Sequence, residues 1–286
     1  SVPVLGSTAE TRGYAMSLLL CSQEYARRPL YVELLGIHLF TPQELSYVIY
    51  HYPLLVLDGF INDSLLEFLR EELNMGLLAV KLERWLKRQE KLDEALLLIL
   101  QESGYYSGAE IGRFKHRLAE LRRKPPAEFS KLKADELFAM RQYARAAQLY
   151  QELLDRPADS HVDDGFLCRV LNNLGACHAQ TFRFDKAYEA YEKAYLKNGQ
   201  EEMLERMYQL TLMDSRVKLG EHIQAEVSEE QKMAWARRFA EAQLHGAQSD
   251  GVMQLEMLFK KDSIRRQTGQ TELVHRWKQE FRRQFA

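Results

Sequence analysis

The reading of one stretch decides the fold: RFDKAYEAYEKAYLKNG, residues 183–199. Ala187, Tyr191 and Ala194 recur at three- and four-residue steps. On a 3.6-residue period that spacing gathers them on one face of a helix. Glu189, Glu192 and Lys193 stand between them, and the run stops at Gly199. A stripe of small and aromatic side chains has to lie against something. A second copy of the pattern stands earlier in the chain, in QYARAAQLYQELL, residues 142–154. Ala146 matches Ala187 and Tyr150 matches Tyr191, an offset of 41 residues, so the chain carries an internal repeat.

The rest of the chain sets the bounds. Its 286 residues are 46% apolar and 28% charged, the balance of a folded soluble protein. A formal charge of −2 excludes a general attraction to nucleic acid or anionic membrane. Three cysteines, Cys21, Cys168 and Cys177, are an odd number without CxxC spacing, which argues against a disulfide framework or structural zinc. A reducing, cytoplasmic setting is expected. The longest apolar run, ALLLIL at 95–100, falls far short of the ~20 residues that span a bilayer. Residues 14–21, YAMSLLLC, have the look of a short signal core, but only one basic residue, Arg12, precedes them and no cleavage site is clear. Residues 1–15 are read as a tail outside the fold.

Helix signals dominate. Thr41 with Pro42 and Glu44 reads as a capping box, as do Ser64 with Glu67, Ser107 with Glu110, and Ser228 with Gln231. Apolar residues recur at helical spacing between these starts, as in Leu78, Leu82, Trp85 and Leu86. Helices are expected near 42–51, 62–74, 77–89, 92–103, 108–123, 127–140, 143–155, 164–179, 184–197, 201–219, 228–245, 249–262 and 270–284. Residues 29–40, PLYVELLGIHLF, support either a short strand or a helix ending near Gly36. The tandem prolines of KPPAE, 124–128, cannot continue a helix and mark a domain boundary. The expected class is all-α, with an N-terminal helical domain over 16–124 and a repeat domain over 125–286.

The better copy has Leu174 and Gly175 in its first helix, Phe184 opening the second, then Ala187, Tyr191 and Ala194, with Gly199 at its end. In these residues the chain resembles the tetratricopeptide repeat family, over 127–160 and 168–201 and more loosely toward the C-terminus. The resemblance implies an α-α superhelix of helix hairpins. Small residues such as Gly175 and Ala187 let paired backbones approach, while Phe184 and Tyr191 fill the space between hairpins. It also implies a concave groove that binds a peptide or helix of a partner protein. Its contact positions in this chain are Lys131, Asp135 and Phe138 in the first copy, and Arg169, Asn172, Asn173 and Gln180 in the second. Lys131 and Asn173 match two positions with which some members hold a terminal carboxylate. Asp135 stands where those members have Asn, and its charge would repel a carboxylate.

Catalytic and metal patterns are not found. HVDDG, 161–165, groups His161, Asp163 and Asp164, and reads as a polar loop with a helix N-cap. Cys177 and His178 are neighbours on one helix and so point apart, which offers no Cys/His dyad. There is no Gly-rich phosphate loop, HExxH or GxSxG. No enzyme activity, cofactor, metal or small-molecule substrate is expected. From Lys260 to Ala286 eight basic residues face three acidic ones, with Trp277, Phe281 and Phe285 interleaved. This is either a capping helix with its aromatic face docked on the last hairpin, or an amphipathic basic element for nucleic acid, a membrane surface or a partner. RFKHRLAELRRK, 113–124, poses the same choice. The expected function is a protein-interaction scaffold. The alternative, a nucleic-acid-associated regulator with a repeat sensor half, would need a basic recognition helix, and residues 41–74 are apolar and acidic.

Overall fold

A computed structural model describes residues 25–57, 59–88, 92–156 and 162–285, with the side chains of 280–285 left aside. The expected tail at 1–15 and His161 lie outside these residues. The chain divides into two compact units at Arg123/Lys124. Among the described residues there are fifteen α-helices and one two-stranded ribbon. None of these helices is long and apolar enough to cross a membrane.

In the first unit, PLYVELLGIHLF forms the ribbon. Strand β1 (Leu30–Val32) pairs antiparallel with β2 (Ile37–Leu39), with Val32 opposite Ile37. Gly36 makes the turn in the left-handed region at φ 63°, which glycine adopts without a Cβ penalty. Helix α1 (Pro42–His51) starts on the expected box. Thr41 Oγ1 accepts the Glu44 N–H at 3.2 Å, and the Glu44 carboxylate accepts the N–H groups of Phe40 and Thr41. A short α2 (Pro53–Val56) follows.

The box at Ser64 does not form. Helix α3 (Asp63–Glu67) begins earlier, capped by Asn62, whose Oδ1 accepts the Leu65 N–H at 3.0 Å. It widens into a π-helical turn, Phe68–Glu72. Helices α4 (Gly76–Arg88), α5 (Leu92–Ser103) and α6 (Gly108–Arg122) complete the unit, the last on the Ser107/Glu110 box. Ile49, Leu69, Leu82 and Leu96 are fully buried at its centre.

The second unit is built on paired helices. Helix α7 (Pro126–Ala139) folds back into α8 (Tyr143–Leu154), and α9 (Asp164–Gln180) into α10 (Phe184–Asn198). Each turn holds a residue other than glycine in the left-handed region, Arg141 at φ 61° and Phe182 at φ 58°. Gly199 ends α10 at φ 64°, its N–H on the Tyr195 carbonyl at 2.7 Å. Then come α11 (Glu201–Met213), α12 (Glu221–Glu226), α13 (Glu229–Ala247), α14 (Asp250–Phe259) and α15 (Ser263–Phe285). Consecutive helices pack together: α9 on α8, α11 on α10, α13 on α11, with α15 returning to α8. Tyr191, Met203, Met207, Ile223 and Trp235 share one core.

Gly175 does its work in an unexpected place. A Cβ there would lie 2.5 Å from Cε1 of Tyr191, so the glycine makes room for the ring of its own hairpin. Ala187 is fully buried.

Three other expectations need correction. Helix α11 stops at Met213 instead of running to 219, because the Asp214 carboxylate captures the Arg216 N–H at 2.9 Å and its guanidinium at 2.7 Å. The short α12 was not anticipated. Helix α15 starts at Ser263, seven residues before the expected 270, since Gly269 is a crossing point and not a break. A Cβ at Gly269 would fall 2.4 Å from Leu258 Cδ1. Of the aromatic residues expected to dock this helix, Trp277 is 44% exposed and the side chains of Phe281 and Phe285 lie outside the described residues, while Leu273 is buried.

Candidate partner-binding surfaces

Burial of a tyrosine organises the first surface. The Ala and Leu stripe of α8 draws Tyr150 into the core, where its ring is fully buried and its hydroxyl must find a partner inside the protein. That partner is Asp135 on α7: the Tyr150 hydroxyl donates to Oδ1 at 2.5 Å. Asn173, on α9, donates its amide to the same oxygen at 3.0 Å and to the Tyr150 hydroxyl at 3.2 Å. Lys131, one turn before Asp135, supplies the charge, with Nζ 2.7 Å from Oδ2. Three helices are thereby tied at one point. Burial first, and then the Asp135 carboxylate, push the Tyr150 phenol well above its ordinary range, so it remains a donor.

Of the seven positions expected from the sequence, Lys131, Asp135 and Asn173 meet in this network. The charge of Asp135 is thus matched internally by Lys131. Asn172 stands beside Asn173, its amide 3.4 Å from the Asn173 oxygen, while its own Oδ1 is buried without a hydrogen-bond partner among the described residues. Arg169 is exposed, with its guanidinium 5.9 Å from the Phe166 ring centroid on the same helix. Phe138 meets Tyr143 edge to face at 5.2 Å, and Gln180 is exposed at the end of α9. These last three are not joined to the network. The Tyr150 hydroxyl was missed because its match with Tyr191 made it read as a packing ring alone. The two tyrosines differ: an Arg206 guanidinium lies 5.6 Å from the Tyr191 ring centroid.

A second feature lies elsewhere on the same helices. A channel of about 820 Å³ runs between α8 and α10 with α9 as its floor. Leu167, Leu171, Leu174 and His178 of α9 line the floor at four-, three- and four-residue steps. Burial, aided by Arg183 and Lys186, pulls the His178 imidazole below its usual range, so it is neutral at pH 7. Sequence reading missed this channel, since its walls come from helices whose link appears only after folding.

The remaining candidates are structural. Asp163 is the N-cap of α9, accepting the Phe166 N–H at 2.6 Å. Cys177 is fully buried and its thiol is pushed up to about 12 by burial, far from the range of a nucleophilic thiolate. Cys168 is buried as well, its thiol raised by burial. Among the described residues no group of three or more His, Cys, Asp or Glu could hold a metal ion. The chain matches no protein-family model, no curated protein and no solved structure.

Proposed function

We propose that this protein is an interaction scaffold, a tetratricopeptide-like superhelix of helix hairpins whose concave face takes a peptide or helix of a partner protein. The supporting observation is the knot at Asp135. Asn173 reaches it from 38 residues away, and α7, α8 and α9 become one preorganised surface. Preorganisation of this kind reduces the ordering cost of binding. On that surface Lys131, Asp135 and Asn173 hold the shape, and Phe138, Arg169, Asn172 and Gln180 meet the partner. Asn172 has the strongest motive to do so. A buried acceptor without a partner costs about 1–3 kcal/mol, and a rotation of its amide lets a partner's backbone N–H satisfy it. Nothing in the reading involves a bond-making step, a cofactor or a metal.

The test is a photo-reactive amino acid placed at Gln180 or Arg169 in the native organism. The expected result is one discrete protein adduct, lost when Asn172→Ala is added. Adducts that persist unchanged in the Asn172→Ala background would contradict the assignment.

A further inference from the structure

The channel between α8 and α10 is separate from the Asp135 surface and has its own chemistry. Along α10 its wall carries Lys186 and Lys193, two helical turns apart and therefore on one side of the helix. Both are exposed, and neither makes an ion pair or hydrogen bond among the described residues. Lys197 continues the row, with Nζ 2.9 Å from Asp164. A single acidic residue, Glu189, interrupts this wall. The facing wall, on α8, is small and mostly uncharged, with Ala144, Ala147, Gln148 and Gln151 before Asp155. Below them the leucines of α9 form a stripe at the three- and four-residue steps that a packed helix presents to its neighbour. Leu196, on the rim, is 67% exposed.

These features select an occupant. The channel follows α10 from Arg183 to Lys197, about 21 Å at ~1.5 Å per residue, the length of roughly four helical turns. An apolar floor wants an apolar stripe, and a wall on which Lys186 and Lys193 stand without ion-pair partners among the described residues, beside a mostly uncharged one, wants carboxylates along one edge of that stripe. We propose that the channel between α8 and α10 binds an amphipathic helix of a partner protein, its apolar face on Leu167, Leu171 and Leu174 and its acidic edge against Lys186 and Lys193. The chain's own C-terminal helix is an unsuitable occupant. Helix α15 packs on α8 but contributes no residue to the channel lining, and its Arg265, Arg266, Arg276 and Lys278 do not complement the lysine wall.

The probe is a designed helical peptide of about 18 residues with leucines at three- and four-residue spacing and glutamates along one edge. Its companion has lysines in place of the glutamates. Full-length protein should bind the acidic peptide at least about tenfold more tightly than the basic one, with affinity falling as salt rises. The double variant Lys186→Glu, Lys193→Glu alters exposed side chains only, and should reverse the preference while the melting temperature holds. Ala147→Trp should block both peptides by filling the channel, and proton shifts on binding should centre on His178 and the Leu174 methyls. The proposal is overturned by equal affinity for the two peptides, by no binding of the acidic one up to about 1 mM, or by a charge-reversed variant that binds as before. A dimer in sedimentation that Ala147→Trp dissolves would overturn it in favour of a second copy of the chain.

Discussion

Gly175 shows how much one missing methyl group can decide. With Tyr191 only 4% exposed and packed among Met203, Leu204 and Met207, the ring has nowhere to retreat if a Cβ arrives 2.5 Å from it. Gly175→Ala is therefore expected to destabilise the second unit by about 1–3 kcal/mol, as overpacking does. Thermal melting checks this, and Tyr191→Leu in the same chain should recover part of the loss. At Asp135 the reasoning concerns unpaired groups. Asp135→Ala leaves the buried Tyr150 hydroxyl without its acceptor and should cost about 1–3 kcal/mol, whereas Tyr150→Phe leaves Asp135 its bonds to Lys131 and Asn173 and should cost about 0.5–1.5. Chemical denaturation should rank them in that order.

His178 adds a pH dependence at the same scale. Its imidazole has a lowered pKa in the folded state, from burial and from Arg183 and Lys186, against Asp185 and Glu189 acting the other way. Below the ordinary histidine pKa near 6.5 the unfolded chain takes up a proton that the fold resists. Stability is full above that range and falls as pH drops through it. His178→Gln should flatten this part of the stability curve as pH falls below about 6.5.

Among elements, the caps and crossings carry the account. Thr41→Ala removes one half of the box at the start of α1 and should cost about 1 kcal/mol, read by denaturant unfolding. Helix existence was legible in the sequence because amphipathic spacing and N-caps act over a few neighbouring residues. What was illegible has physical reasons at the same scale. Asn62 and Ser64 are both good caps two residues apart, and the helix that starts on the first has Leu65 and Leu66 buried, a packing not visible in the local sequence. Helix α12 is six residues long with Ile223 as its one buried residue, too short to show a period. Gly269 falls in the gap between the helices expected at 249–262 and 270–284, because one letter serves both for a flexible turn and for a close helix crossing. Gly269→Ala separates the two: a break would tolerate it, whereas the crossing with Leu258 predicts loosening of α15, seen as faster amide exchange along that helix.

Across the whole molecule, the sequence marked the packed helix pairs and three members of the Asp135 network, Lys131, Asp135 and Asn173, since the repeat resemblance set all three at contact positions. The hydroxyl at the network's centre and the channel between α8 and α10 arise only when helices distant in sequence come together. Both depend on the same event, the docking of α9 onto α7 and α8. The measurement that tests it most directly is a double-mutant cycle on folding stability with Asp135→Ala and Asn173→Ala. If α9 docks as described, the pair shares one hydrogen-bonded knot, and the two losses should deviate from additivity by at least about 0.5 kcal/mol. Losses that add within about 0.3 kcal/mol would mean that the two residues do not meet, and that the hairpins do not stack in this way.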